Sequence, residues 1–432
     1  MSRVRGAVLK GLQLAVAPVG LAVATGVALR EAPRTRRLRK LGRKPRLLYG
    51  VTPIISLKYM SEAMRKRGYE THTYVWGVAT INEASDFDAS VGDLFAGSSS
   101  SVAAKARVLL GPYVALCRAL RRGDVFHYFF DGGFLSHTPL RFLEVQLLHL
   151  AGKKLVVMPY GGDVAVPSEM HSPAWREAFL ADYPELADRE PNTRRWIRYF
   201  CRRADFVVAC VVHFETLPRC DLLTTHYYPI DTDAWTPPDS GAGDGHIRVL
   251  HSSNHRALKG TDRVVEACRR LRDEGFDLEL ILAEGLPNTE VRRLVESCDI
   301  VAEQFVLGYA LAAMEGMALG KPVLSNLSDP WYYERFRRET GLDECPIVST
   351  SADELPDHIG RLARDAALRA RLGEEGRRYV VQHHGYEPVG RMWEHVYEAL
   401  WNDIPMPFDA WHPRRGAHEA EGTPVRAVET AA

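Results

Sequence analysis

Hydrophobic positions along the chain fall into short continuous runs, separated by segments in which they recur every three or four residues. RLLYGV (46–51) is an apolar run closed by a turn at Thr52-Pro53, and SLKYMSEAMRKRGYE after it carries its apolar residues at helical spacing. The pattern predicts strand, loop, helix. It returns in DVFHYFF (124–130), a helix from about Leu140 to Leu150, KKLVVMPY (153–160) with a Gly161-Gly162 turn, and DFVVACV (205–211). TPPDSGAGDGH (236–246) then breaks all periodicity and reads as a linker. Beyond it the alternation restarts with IRVLHS (247–252), a helix over 261–274, DLELILA (277–283), a helix over 288–297, DIVAEQF (299–305), a helix over 310–319 and KPVLSN (321–326).

Strands alternating with helices predict parallel sheets covered on both faces. The expected fold class is therefore α/β: two doubly wound, Rossmann-like parallel-sheet domains facing a cleft, the first over 46–237 and the second over 247–385, joined by a linker at 238–246. Ligands in such sheets sit outside the carboxyl ends of the strands, so the loops there are expected to carry the chemistry. Residues 413–432 are polar, Ala/Gly-rich and aperiodic, and are expected to be disordered.

The first 45 residues differ from the rest. Gly11 to Leu29 hold no charge, which as a helix is about 28 Å, close to the ~30 Å of a bilayer's hydrocarbon core. Pro18, Gln13 and the many Ala and Gly make insertion marginal. Arg3, Arg5 and Lys10 precede the stretch and nine bases follow between Arg30 and Arg46. A leader that spans the membrane with a cytoplasmic body, and a helix lying on anionic lipid, both fit.

Charge sharpens this contrast. Fifty-five basic and fifty-five acidic residues cancel over the chain, yet residues 1–46 hold twelve Lys/Arg against Glu31 alone, leaving 47–432 at −11. An acidic body excludes a nucleic-acid binder of the usual basic-faced kind. At 46% hydrophobic and 25% charged the composition is that of a globular protein. Seven scattered cysteines form no CxxC pair, so reduced, mostly buried thiols and a reducing compartment are expected rather than a disulfide framework or zinc site.

Two segments carry candidate chemistry. In SSNHRALKGTDRVVEA (252–267) a strand ends, a polar loop brings His255, Arg256 and Lys259, and Lys259-Gly260 opens a helix. Cations beside a helix N-terminus suit a diphosphate, although a solvated loop with surface bases fits the same residues. In FVLGYALAAMEGMALGKPVLSN (305–326), Gly308 lets backbone amides approach a ligand at a helix start, and Glu315 lies one to two turns down. A carboxylate there can accept both hydroxyls of a ribose, or be a surface acid.

Taken together, in this order and spacing, the two segments resemble the donor half of family 4 retaining glycosyltransferases, which have a two-domain B-type fold. By that resemblance Glu315 takes the ribose-binding acid, Gly308-Tyr309-Ala310 the Gly-aromatic-Gly loop, and Lys259 the diphosphate ligand. The family's first Glu, which contacts the transferred sugar, falls on Leu307, and its Arg falls on Asn254, with Arg256 as the nearby substitute. MPYGGDV (158–164) resembles the family's His-Gly-Ser-Asp turn, with Tyr160 at the histidine and Gly161, Gly162 and Asp163 matching the rest. YYPIDTDAWTP (227–237) resembles the segment before the linker, and YEPVGRMWEHVYEALW (386–401) resembles the closing helix that crosses back to the first, acceptor-side domain.

The resemblance implies transfer of a glycosyl group from a nucleotide diphosphate sugar to an acceptor in the cleft, with retention. No further cofactor and no metal is expected, the departing diphosphate being stabilised by Lys259, Arg256 and amides near Gly308. The basic leader points to a lipid-linked or envelope glycan acceptor at the inner face of the membrane. A nucleotide-sugar-binding protein without catalysis and a nucleotide-sugar epimerase on the same fold are the alternatives. Asp86/Asp88 and Asp231/Asp233 read as turn acids rather than metal ligands. His127, His383 and His384 read as core or surface residues.

Overall fold

The computed structural model describes residues 2–406 apart from 79–81, 95–100, 211, 213, 225–227, 239–244 and 334–344. Most of the expected linker and all of the tail from 413 lie outside the described residues. The first domain runs α1 (Ser2–Lys40), β1 (Leu47–Val51), α2 (Ser56–Lys66), β2 (Thr71–Val75), β3 (Ala89–Ser90), α3 (Ser101–Arg122), β4 (Val125–Tyr128), α4 (Glu144–Leu150), β5 (Lys154–Val157), α5 (Pro173–Asp182), α6 (Leu186–Arg203), β6 (Phe206–Ala209) and β7 (Leu222–Leu223). Its seven strands are all parallel in the order β3-β2-β1-β4-β5-β6-β7. Every residue of β1, β4 and β6 is buried, as expected of strands covered on both faces, which is why they read as unbroken apolar runs.

The handedness of parallel crossovers decides which helix covers which face. The chain steps one way from β1 to β2 through α2, and the opposite way from β3 to β4, β4 to β5 and β5 to β6. Consequently α2 covers one face, while α3, α4 and α6 cover the other. α1 is added to that second layer, seated against α3 and α4. Its inward side is Ala17, Gly20, Ala24, Ala28, Glu31 and Thr35, spaced by three and four and all buried. Gly20 is small because the Tyr113 ring lies where a side chain would be, 2.5 Å from an added Cβ.

The second domain runs β8 (Ile247–Ser252), α7 (Arg256–Lys259), α8 (Thr261–Asp273), β9 (Leu278–Ala283), α9 (Asn288–Ser297), β10 (Ile300–Gln304), α10 (Leu311–Ala318), β11 (Val323–Ser325), β12 (Val348–Ser349), α11 (Leu355–Arg364) and α12 (Ala366–His383). Its five-stranded parallel sheet has the order β12-β11-β10-β8-β9. The last helix, α13 (Tyr386–Asn402), packs back on α2 of the first domain. There Tyr397 Oη meets Tyr49 Oη at 3.0 Å and Trp393 packs edge-on against His127. All seven cysteines are free thiols, and all except Cys345 are buried.

Candidate active site

The loops that follow β1, β5 and β6 in the first domain face those that follow β8 and β10 in the second, across a cleft of about 430 Å³. Each loop leaves the carboxyl end of its strand, the position at which parallel sheets bind ligands.

On the second-domain wall, Gly260 at φ +71 ends α7 and begins α8 in one left-handed step, setting Lys259 at the cleft edge. Its ammonium is held by the Glu303 carboxylate, which is fully buried at the end of β10. The same carboxylate accepts the Ala310 amide and the Ser325 hydroxyl, each at 3.3 Å. One acid thus ties the Lys259 loop, the start of α10 and β11 together. Gly308 adopts φ +83 and lines the cleft, but its N–H donates to Asn326 O at 2.8 Å. The expected use of amides around Gly308 is corrected to this extent: the N–H groups of Gly308 and Ala310 are already engaged within the domain. Tyr309 lines the cleft and pairs with buried His384 at 3.1 Å.

Glu315, one turn into α10, is buried and does not line the cleft as Met314 does; it accepts a hydrogen bond from Asn288 Nδ2 at 3.2 Å. Burial pushes its carboxyl up to about 7. Leu307, where the resemblance placed an acid, is buried in the core, and its carbonyl accepts from the Gln304 side chain. Four predicted residues do not line the cleft: Glu315 and Asp163 are buried in its walls, and Arg256 and Asn254 are turned to other partners. Arg256 is exposed and divides its guanidinium between Glu284 and Asp262, at 2.7 Å each. Asn254 accepts the Gly285 N–H at 3.1 Å and so joins the loops after β8 and β9.

On the first-domain wall, Tyr160, Gly161 and Gly162 line the cleft, with Gly161 at φ +141. Asp163 builds this turn from behind, accepting the amides of Tyr160, Gly161 and Phe130 at 2.9–3.0 Å. Beside it Asp131, just after β4, accepts Thr52 Oγ1 at 2.8 Å and Tyr160 Oη at 3.4 Å. Burial raises both acids, Asp131 to about 6 and Asp163 to about 7, the latter also through the neighbouring Asp131 charge. Sequence reading missed Asp131 and Glu303. The available signals were an acid interrupting the apolar run DIVAEQF and the DGG turn after DVFHYFF.

The discounted acid pairs have structural duties. Asp86 pairs with Lys58, Asp88 with Arg65, and Asp231 and Asp233 both lie near Lys66. His127 is wholly buried among aromatic rings and is pushed down to about 3 by that burial.

Anabaena Alr3699/HepE in complex with UDP-glucose superposes with a TM-score of 0.53 at 12% identity, covering 82% of this chain and 100% of that one. The same protein with UDP and glucose gives 0.52 at 12% identity, over 83% and 100%. The fold is GT-B. An alignment 250 positions long, covering 49% of this chain and 59% of the other protein's length, gives 26% identity to the MMP alpha-(1->4)-mannosyltransferase of Mycolicibacterium hassiacum. No family model matches. GT-B accounts for the opposition of the two walls: Lys259, Gly308 and Tyr309 on one side, and Tyr160 to Gly162 on the other.

Proposed function

We propose that the chain is a glycosyltransferase that moves a sugar from a nucleotide diphosphate sugar to an acceptor in the GT-B cleft, with retention and without a metal ion. The observation that carries this reading is Lys259, presented at the cleft edge by a glycine-terminated turn and aimed by a buried carboxylate. Its ammonium neutralises charge on the departing diphosphate, where a preorganised cation acts most strongly. Glu315 offers the oxygen now held by Asn288 to the ribose hydroxyls, and Tyr160 faces the sugar from the opposite wall. The acceptor is a lipid-linked or envelope glycan, and the protein works at the inner face of the membrane, held there through its first 46 residues. The 26% identity with a mannosyltransferase and the likeness to a fold seen with UDP-glucose support the donor class.

The test is thermal unfolding with UDP, GDP, dTDP, ADP and CDP. A ligand at ~100 times its dissociation constant stabilises the native state by about 2.7 kcal/mol. One nucleotide should raise the midpoint, and Glu315→Ala should remove the shift. The burial of Leu307 where the resemblance expects a sugar-contacting acid favours one second reading, a binder without catalysis. A midpoint shift without sugar transfer would select that reading, and scrambling of the sugar's stereochemistry without transfer would select an epimerase. If transfer occurs, the anomeric configuration of the product, read by NMR, checks retention.

A further inference from the structure

We propose that the outer side of the helical layer formed by α3, α1, α4 and α6 is a docking face for an anionic lipid bilayer, with α1 lying in the membrane plane and an arginine-lined groove on α6 seating lipid phosphates. This rests on the membrane reading given above and specifies its geometry.

α1 has two usable sides. Residues Leu9–Lys40 are long and apolar enough to cross a membrane by length and composition alone. The inward side, however, is spent on α3 and α4, and a helix in that seat cannot also be surrounded by lipid. The opposite side exposes Leu12, Val19 and Val23, at 44%, 64% and 54%. It then turns basic at Arg30 and Arg37, both exposed. Leu14 and Leu29 are exposed as well, so all of α1 outside its seat is largely apolar, and this apolar strip, with a basic end on a helix already fixed to a domain, can rest against a membrane surface.

The groove is separate from the leader in sequence, its lining running from Phe142 to Arg203. It encloses about 550 Å³ between Phe142 and Tyr199, and its rim carries Arg195, Arg198, Arg202 and Arg203. The spacing of three and four puts Arg195, Arg198 and Arg202 along one flank of α6, and Arg203 follows directly. Among the described residues none of the four is paired with a carboxylate, whereas the neighbouring Arg194 and Arg219 are taken up by Glu169, Glu190 and Asp221. Arg195 instead lies over the Phe142 ring at 4.3 Å. Four unneutralised guanidinium groups in a body whose net charge is −11 complement phosphate.

Continuity joins the two features. α4 lies between α1 and α6: α1 packs on α4 and, through Gln13, donates to His137 O in the loop before it at 3.1 Å, and Tyr199 on α6 donates to Gln146 on α4 at 3.1 Å. α4 and the residue before it show Leu150 and Leu143 to solvent between strip and groove. The crossover rule places α3, α4 and α6 on one face of the sheet, and α1 packs on α3 and α4 of that layer. The apolar strip, the two leucines and the arginines therefore look outward together, as acyl-facing and phosphate-facing parts of one surface.

The experiment is co-sedimentation of the full chain with vesicles of phosphatidylcholine alone and of phosphatidylcholine mixed with phosphatidylglycerol. Two variants are compared, Arg198→Glu/Arg202→Glu in the groove and Val19→Asn/Val23→Asn on α1, with melting temperatures checking that both fold. The expected result is binding to anionic vesicles, weakened roughly 100-fold by the groove variant, reduced by the α1 variant, and reversed by high salt or alkaline extraction. Undiminished binding of the groove variant, or protein released only by detergent, would overturn the docking face while leaving the membrane reading standing, α1 then spanning on its own. Failure to bind either vesicle would overturn both.

Discussion

Lys259 and Glu303 depend on each other, because the carboxylate is fully buried and the ammonium nearly so. Removing one partner of such a pair leaves the other charge desolvated, which costs about 3–5 kcal/mol, whereas replacing both costs far less. Lys259→Met is therefore expected to lower the urea midpoint markedly, and Lys259→Met/Glu303→Leu to recover most of the loss; both are read by urea unfolding. A pure ligand-binding role for Lys259 would leave the single variant as stable as the parent. Glu315 makes a pH prediction with a definite sign. Burial raises its folded pKa from 4.5 to about 7, so the native state binds more protons than the unfolded chain between those values. Its contribution to stability is full below pH about 4.5 and is lost as pH rises through about 7. Glu315→Gln should flatten that portion of the stability profile, measured by urea unfolding from pH 5 to 8. Ribose hydroxyls donating to the ionised carboxylate would make nucleotide affinity rise over the same window. Neither Glu303 nor Asp131 stood out in the sequence, because single acids at strand ends read as solvated edges until the fold shows what they touch. Conversely, Arg256 read as a ligand because proximity in sequence to Lys259 says nothing about direction: one turn of α7 points it at Glu284 and Asp262.

At the scale of elements, legibility followed apolar periodicity. IRVLHS and the helix over 288–297 match β8 and α9 residue for residue, since both are bounded by turn residues and carry an uninterrupted period. α6 was missed because LADREPNTRRW contains a proline and few apolar residues, and it is held by packing of Trp196, Ile197 and Phe200 rather than by pattern. α3 follows a Ser-rich stretch and encloses Pro112, which hid its period. The docking of α1 was invisible for a different reason. Its buried face over residues 17–28 is Ala and Gly, which look inert in a hydropathy pattern and matter because they let helices approach closely. Gly20→Val is accordingly expected to force the Tyr113 ring aside and destabilise the first domain by about 1–3 kcal/mol, read as a lower thermal midpoint with earlier proteolysis in residues 1–40. A second close approach lies between α10 and α12, where a Cβ on Gly373 would run into the Gly320 carbonyl oxygen. Gly373→Ala should loosen α12 and, through α10, weaken nucleotide binding in the thermal-shift assay.

At the scale of the whole molecule, the two domains are fastened along one side of the cleft by two bridges. Asp182, at the end of α5, accepts the Ala257 and Leu258 amides of α7 at 3.1 and 2.8 Å, and Tyr183 pairs with His255. Further along, Glu215 accepts the His171 amide at 3.2 Å and the Tyr332 hydroxyl at 3.0 Å, while Trp331 stacks between His171 and Phe214. The second bridge titrates. Burial, with Asp329 nearby, raises Glu215 to about 7. Below that pH the carboxyl is neutral and its desolvation is cheap; above it, the same contact buries a charge beside a second acid. The contribution of this bridge is thus full below pH about 4.5 and lost as pH rises through about 7. On the proposed function, admitting a donor and releasing a nucleotide would part these contacts, so the balance between closed and open forms should shift with pH. Small-angle scattering is expected to show the radius of gyration increasing from pH 6 to pH 8 in the parent chain and staying constant in Glu215→Gln, which keeps the hydrogen bonds without the charge. An identical increase in both proteins would assign the opening to other groups, and no increase in either would mean that the Glu215 bridge does not set the opening.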